Sequence, residues 1–344
     1  MSAADAARSY AALADRPAAR ATSGLINETF IVEGASGRYV LQRLHPIFDP
    51  RIHENILAVT EHLRARGMTT PELIRTDAGE LHVDLGEGGI WRAMTFVEGA
   101  TFDAAQDAAQ LEGAGELVGR FHRALEDLDH HFVGLRVGVH DTDAHLAKLE
   151  AALGESADHR LRDQVVPLGE AILEAGRRLP SVADLPTPVA HGDLKLSNLR
   201  FAGPSPPASR EGRCLIDLDT LAPMPLAHEL GDAWRSWCNP NREDAREASF
   251  DLDGFAASWR GYQRGRGEPL APAELESLVD GVAIITLELC ARFAADAILE
   301  AYFGWDAQRF PGRGEHNLAR ARGQWALYQA VRDTRDQRRR ILGC

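Results

Sequence analysis

Apolar and polar positions along the chain follow two regimes that change near residue 97. In the first, short alternating runs dominate. Residues 27–32 and 38–44 read as strands, and the small-residue turn 33–37 between them predicts a hairpin. Ile52, Ile56, Val59 and Leu63 then recur at 4-3-4 spacing, which puts one apolar stripe on a helix over about 50–66, stopped by Gly67. Residues 81–85 and 90–97 read as a second hairpin around a glycine-rich turn. Residues 97–100 read as a hinge, because glycine loosens the strand end.

Beyond the hinge the period lengthens. Helices are expected over 108–128, 143–153, 163–178, 229–238, 252–264, 272–303 (in one piece or two) and 316–339. The exception is 188–221, where short β-type runs flank the Pro- and Gly-rich loop 203–212. Strands first, helices after, and one β-rich insert describe an α+β chain of two unequal lobes, 1–97 and 98–344, with a cleft between them.

Composition narrows the partners. The 344 residues carry 38 basic and 51 acidic side chains, a formal charge of −13, which disfavours nucleic acid or an anionic membrane as main partner. The four cysteines lie far apart without metal-site spacing, and no apolar run is long enough to span a bilayer. The N-terminus has no signal-peptide core, so a reducing cytoplasm is expected. Oligomeric state has no signal here. Only Lys148 and Lys195 are lysines, so a compact ammonium is rare in this chain.

The sharpest chemical signal is His191-Gly192-Asp193-Leu194-Lys195-Leu196-Ser197-Asn198, followed by Asp217-Leu218-Asp219 at the end of an apolar strand. An aspartate on a tight loop can take a proton from a substrate hydroxyl. An asparagine oxygen is a hard neutral ligand for Mg²⁺. Strand alternation puts Asp217 and Asp219 on one face, where two carboxylates repel unless a cation lies between them. Asp193 is therefore the candidate base, Lys195 the candidate charge-stabiliser, and Asn198, Asp217 and Asp219 the candidate metal ligands. His191 is expected to order the loop.

These residues resemble the catalytic loop and metal aspartate of the protein-kinase-like phosphotransferases. The short link to Glu229-Leu230-Gly231-Asp232 resembles the aminoglycoside phosphotransferase-like small-molecule kinases, in which the acid at Asp232 braces the catalytic loop. The resemblance implies a protein-kinase-like two-lobe fold, ATP and Mg²⁺ as cofactors, and a small-molecule substrate. It makes residues 23–30, with Asn27 and Thr29, a phosphate-covering turn. It also implies nucleotide contacts from Phe96 and Glu98 at the hinge. The strand lysine of such kinases is absent, and its place falls to Gln42 or Arg43, of which alternation lets one face the cleft. Glu54 is its candidate charge partner on the following helix, with plain surface charge as the alternative.

Segments over roughly 20–332, including WRAMTFVEGATFD, GRFHRALEDL and LELCARFAADAILEAYF, resemble N-acetylhexosamine 1-kinase-like proteins. That resemblance implies transfer to the anomeric hydroxyl of an N-acetylhexosamine. Arg292, Asp296, Tyr302, Asn317 and Arg320 are the candidate sugar contacts, against an intrahelical Arg292–Asp296 pair. Trp234, Trp237 and Trp325 are candidate stacking surfaces, against a core role. The rival functions are kinases acting on an aminoglycoside, homoserine or a choline-like amine, and a silent pseudokinase that only binds.

Overall fold

The computed structural model describes residues 2–21, 27–34, 36–136 and 138–344. The first lobe begins with α1 (Ala3–Ala7), β1 (Ala18–Arg20), β2 (Glu28–Gly34), β3 (Gly37–Arg43) and α2 (Ile52–Ala65). It continues through β4 (Leu73–Ile74), β5 (Val83–Asp84) and β6 (Ile90–Thr95). All strand pairs are antiparallel, in the order β1-β2-β3-β6-β4, with β5 on β6. Both expected hairpins form, whereas α1, β1 and β4 are too short to show a period. Leu41, Trp91 and Ala93 pack under Tyr10 and Leu13, so α1 and the turn after it close the outer face of the sheet.

The second lobe comprises α3 (Ala108–Ala124), α4 (Thr142–Gly154), α5 (Arg162–Gly176), β7 (Val189–Ala190), β8 (Leu199–Phe201), β9 (Gly212–Leu215) and β10 (Ala222–Pro223). It ends with α6 (Leu226–Trp237), α7 (Leu252–Arg266), α8 (Pro272–Leu299), α9 (Arg313–Asp333) and α10 (Arg335–Leu342). The Ile52–Leu63 stripe of α2 is buried in the same hydrophobic core as α3, so the main core runs under both lobes. Among the described residues, no helix is long and apolar enough to cross a membrane.

Two helix boundaries differ from the periodicity. The helix expected to reach 303 is a single piece and stops at Leu299, because the Asp296 carboxylate captures the N–H groups of Ala301, Tyr302 and Phe303. The helix expected over 316–339 breaks at Thr334, whose hydroxyl donates to the Val331 carbonyl and competes with the backbone ladder.

α3 and α7 touch backbone to backbone. A Cβ on Gly115 would lie 1.9 Å from the Ser258 carbonyl oxygen, and one on Gly261 1.9 Å from that of Glu112. This contact carries α3 His122 and α7 Tyr262 to within hydrogen-bond reach, 3.0 Å apart.

Candidate active site

Short β-strands and one helix hold the loop 191–198. Gly192 has φ +79°, and a Cβ there would lie 2.5 Å from the Thr220 carbonyl oxygen, so this turn demands glycine. The buried Glu229 carboxylate accepts the N–H groups of His191 (2.8 Å) and Gly192 (2.9 Å). Burial works to raise the pKa of Glu229, but its contacts with His122 and His191 outweigh it and hold the carboxyl below its usual range. The brace is thus Glu229, one turn before the expected Asp232, which pairs instead with Arg235 at 2.8 Å. An acid at the first turn of α6 directly after the loop was the available signal. His191 is fully buried and bonds the Ile216 carbonyl at 2.9 Å, and Trp237 donates to the Leu194 carbonyl at 2.6 Å.

Two of the expected residues, Lys195 and Asn198, meet on Asp193. Its Oδ2 accepts from Lys195 Nζ (2.8 Å) and Asn198 Nδ2 (2.9 Å), and Asn198 also donates to the Asp193 carbonyl. Its Oδ1 has no bonded partner among the described residues. Burial opposes the Lys195 charge, yet Asp193, Asp217 and Asp232 raise its pKa above the usual value, so it stays an ammonium.

Asp217 lies at the end of β9, adjoining Asn198, whose carbonyl takes the Ile216 N–H at 2.9 Å. Its backbone is left-handed (φ 64°, ψ 60°), an arrangement costing about 1 kcal/mol or more for a non-glycine. Burial, then Asp219 and Asp193, push its carboxyl pKa up, and it has no hydrogen-bond partner among the described residues. Asn198 Oδ1 is likewise without one. One strained carboxylate and one amide oxygen suit Mg²⁺, which takes few protein ligands and completes its shell with phosphate and water.

Asp219 is placed differently. Its side chain is buried, with Oδ1 paired with Arg92 by charge and Oδ2 accepting from Asn27 Nδ2 at 2.6 Å. Thr29, Gln42 and Arg92 stand in one cross-strand row on the sheet face toward the second lobe. Gln42 donates to Thr29 Oγ1 (3.1 Å) and accepts from Arg92. Arg43 points the other way, toward Glu28 at 3.6 Å, so it supplies no charge to this face. Glu54 is exposed and pairs with no strand residue, which leaves it as surface charge. Its neighbour Asn55 ties α2 to the backbone of Val133. At the hinge, Glu98 pairs with Arg38, and the Phe96 ring carries the guanidinium groups of Arg38 (4.3 Å) and Arg200 (4.6 Å). Both side chains pin the hinge. The expected phosphate-covering turn at 23–26 lies outside the described residues.

The profile of the "Phosphotransferase enzyme family" matches residues 18–267. The chain belongs to that phosphotransferase family. Relatives include homoserine kinases of Methylocella silvestris (26% identical over 263 residues, 74% of this chain and 73% of the relative) and Methylobacterium nodulans (28% over 266 residues, 74% and 73%). Among solved structures, an amicoumacin kinase in complex with AMP-PNP, Ca²⁺ and Ami superposes with TM-score 0.64 at 14% identity, covering 95% of this chain and 91% of that one. A microcompartment-associated aminopropanol kinase superposes at 0.63 and 16%, covering 95% of each. These likenesses establish the kinase-like fold.

On the acceptor side of this phosphotransferase, several expected contacts are already engaged. Asp296 is 4% exposed and Asn317 0%, and they bond each other at 2.8 Å. Arg320 donates to the Gly304 carbonyl at 2.8 Å. Arg292 lies 3.9 Å from Glu288 instead of pairing with Asp296. Tyr302 alone of the set is well exposed, at 44%, with Arg136 donating to its hydroxyl. Trp234 and Trp237 are core residues, and Trp325 stacks on Tyr328. The sequence reading missed Glu288, buried on α8, which accepts from Thr142 (2.9 Å) and bonds His140 (3.2 Å).

Beside the Arg92 row, His53 stacks on His82 with ring centroids 4.9 Å apart. Burial, then the Arg92 charge, lower its pKa to about 3. The folded protein therefore keeps His53 neutral while the unfolded chain binds a proton below about 6.5. Stability is lost as pH falls from about 6.5 toward 3, by up to ~1.4 kcal/mol per pH unit. His53→Gln should flatten that part of a denaturation-versus-pH profile, and an unchanged slope would count against a buried neutral His53.

Proposed function

We propose that this phosphotransferase moves the γ-phosphoryl group of ATP, as its Mg²⁺ complex, to a hydroxyl of a small polar molecule in the cytoplasm. The observation that supports this best is the Asp193 carboxylate, with one oxygen held by Lys195 and Asn198 and the other open. The open oxygen is the acceptor for the hydroxyl proton, and the held one keeps the carboxylate aimed. Lys195 offsets negative charge beside it. Asn198 Oδ1 and Asp217 would hold the cation, which when bound neutralises charge on the nucleotide phosphates. Little covalent work falls to the protein, so positioning and electrostatics account for most of the acceleration.

Two acceptor classes each have a supporting observation. The C-terminal segments that resemble N-acetylhexosamine 1-kinases lie beyond residue 267, outside the matched family profile, and favour an N-acetyl sugar. The named relatives favour a hydroxy-amino acid or amino alcohol. A coupled ADP-release assay with Mg·ATP and N-acetylglucosamine, N-acetylgalactosamine, homoserine, aminopropanol or choline separates them. Turnover above the ATPase background with one class selects it. No acceptor-dependent turnover with any small alcohol would overturn the proposal.

A further inference from the structure

Arg92 is a charge in an otherwise apolar strand, 1% exposed between Trp91 at 2% and Ala93 at 0%. Its Nε and Nη2 donate to Gln42 Oε1 (3.0 and 2.8 Å), and its Nη1 pairs with Asp219. The other Asp219 oxygen takes Asn27 Nδ2, and Asn27 Oδ1 takes the His45 N–H at 2.9 Å. One polar chain thus runs from β3 and β6 into the turn two residues past Asp217. Residues 1–147 contain no lysine, so no ammonium from this lobe can serve here.

A buried ion pair is no better for stability than well-packed apolar groups, while a half-pair is costly. The pair is therefore best explained by what it holds in place. Asp217 stands in a left-handed conformation that persists only when its surroundings over-determine it. A guanidinium fork can grip an amide on one strand and a carboxylate on the facing turn at once, which a point-charge ammonium cannot.

We infer that Arg92 is a positioning residue: it clamps Asp219, and so fixes the Asp217 turn for Mg·ATP. Asp219 is the anion of that clamp and not a metal ligand. The inference rests on the ATP-dependent reading above.

Gln42 and Arg92 face each other directly across the β3–β6 ladder, so the charge can be moved one strand over. The test measures Mg·ATP affinity by calorimetry and the Tm of the nucleotide-free protein. Arg92→Gln should weaken Mg·ATP binding about tenfold or more and lower Tm by roughly 5–10 °C. Moving the guanidinium in Gln42→Arg/Arg92→Gln, which keeps fork and amide on the two facing strands, should recover most of the affinity. Removing both charges in Arg92→Gln/Asp219→Asn should restore Tm, because no unpaired charge is left, while affinity stays low.

Wild-type affinity in that folded charge-free double variant would overturn the inference, as would a stable charge-swapped protein that recovers nothing. Asp219→Asn losing Mg²⁺-dependent nucleotide binding at unchanged Tm would make Asp219 a ligand and also overturn it. If the wild-type protein binds no Mg·ATP, the phosphotransfer reading fails and this inference with it. Binding by wild type alongside an unaffected double variant refutes the clamp alone.

Discussion

Replacing Asp193 by Asn is expected to lower kcat about 10³-fold while Mg·ATP affinity changes by less than about threefold. A positioned general base contributes roughly 10²–10⁴ in rate. The amide has nearly the shape of the carboxylate but cannot take a proton. Its oxygen can still accept from Lys195 and Asn198, so the loop should keep its form, tied independently through Glu229 to the backbone of His191 and Gly192. Steady-state kinetics with the acceptor found by the assay above, run beside nucleotide calorimetry, gives both numbers. Turnover within tenfold of wild type would remove Asp193 from the base role.

The largest stability effect should come from a residue that touches no ligand. Gly261→Val would drive a branched side chain into the Glu112 carbonyl, where even a Cβ would sit at 1.9 Å. The obstacle is backbone, so α3 and α7 must move apart along their shared length. Glu112 and Glu116 pair with Arg260 and Arg264 across the same crossing, and those contacts would separate too. Overpacking a tight contact costs about 1–3 kcal/mol and more when backbone must shift, so a loss of about 3 kcal/mol or more is expected. Equilibrium urea denaturation reads it directly. A midpoint equal to wild type would mean the helices are not in contact. Because His122 and Tyr262 stand on these helices and His122 backs Glu229 at 3.4 Å, catalysis should fall as well.

Much of the architecture was legible because it depends on local periodicity. The 52-56-59-63 stripe, the two hairpins and the long amphipathic helices each bury one face, and that requirement is written at fixed spacing. The catalytic loop was legible for a related reason. Asp193, Lys195 and Asn198 are within five residues of one another, so a single turn brings them together whatever surrounds it. Glycine at 192 is part of the same local necessity, since the turn needs positive φ.

Contacts between distant segments obey no such spacing. Nothing in RYVLQRL states that Gln42 will accept from an arginine 50 residues later, or that this arginine will reach Asp219. A lone charge in IWRAMT was the only trace of that arrangement. Glu229 and Asp232 both lie on the buried side of α6, and only the tertiary structure, which sets His122 of α3 beside Glu229, decides which one meets the loop. Asp296 and Asn317 looked like substrate contacts because polar residues on a C-terminal helix face are equally suited to a ligand or to each other. The fold brings them within 2.8 Å of each other. Local sequence thus determined the elements and the 191–198 loop, through backbone geometry and the burial of one face. Tertiary packing decided which charges neutralise one another, because a buried charge must take whatever partner the fold places beside it.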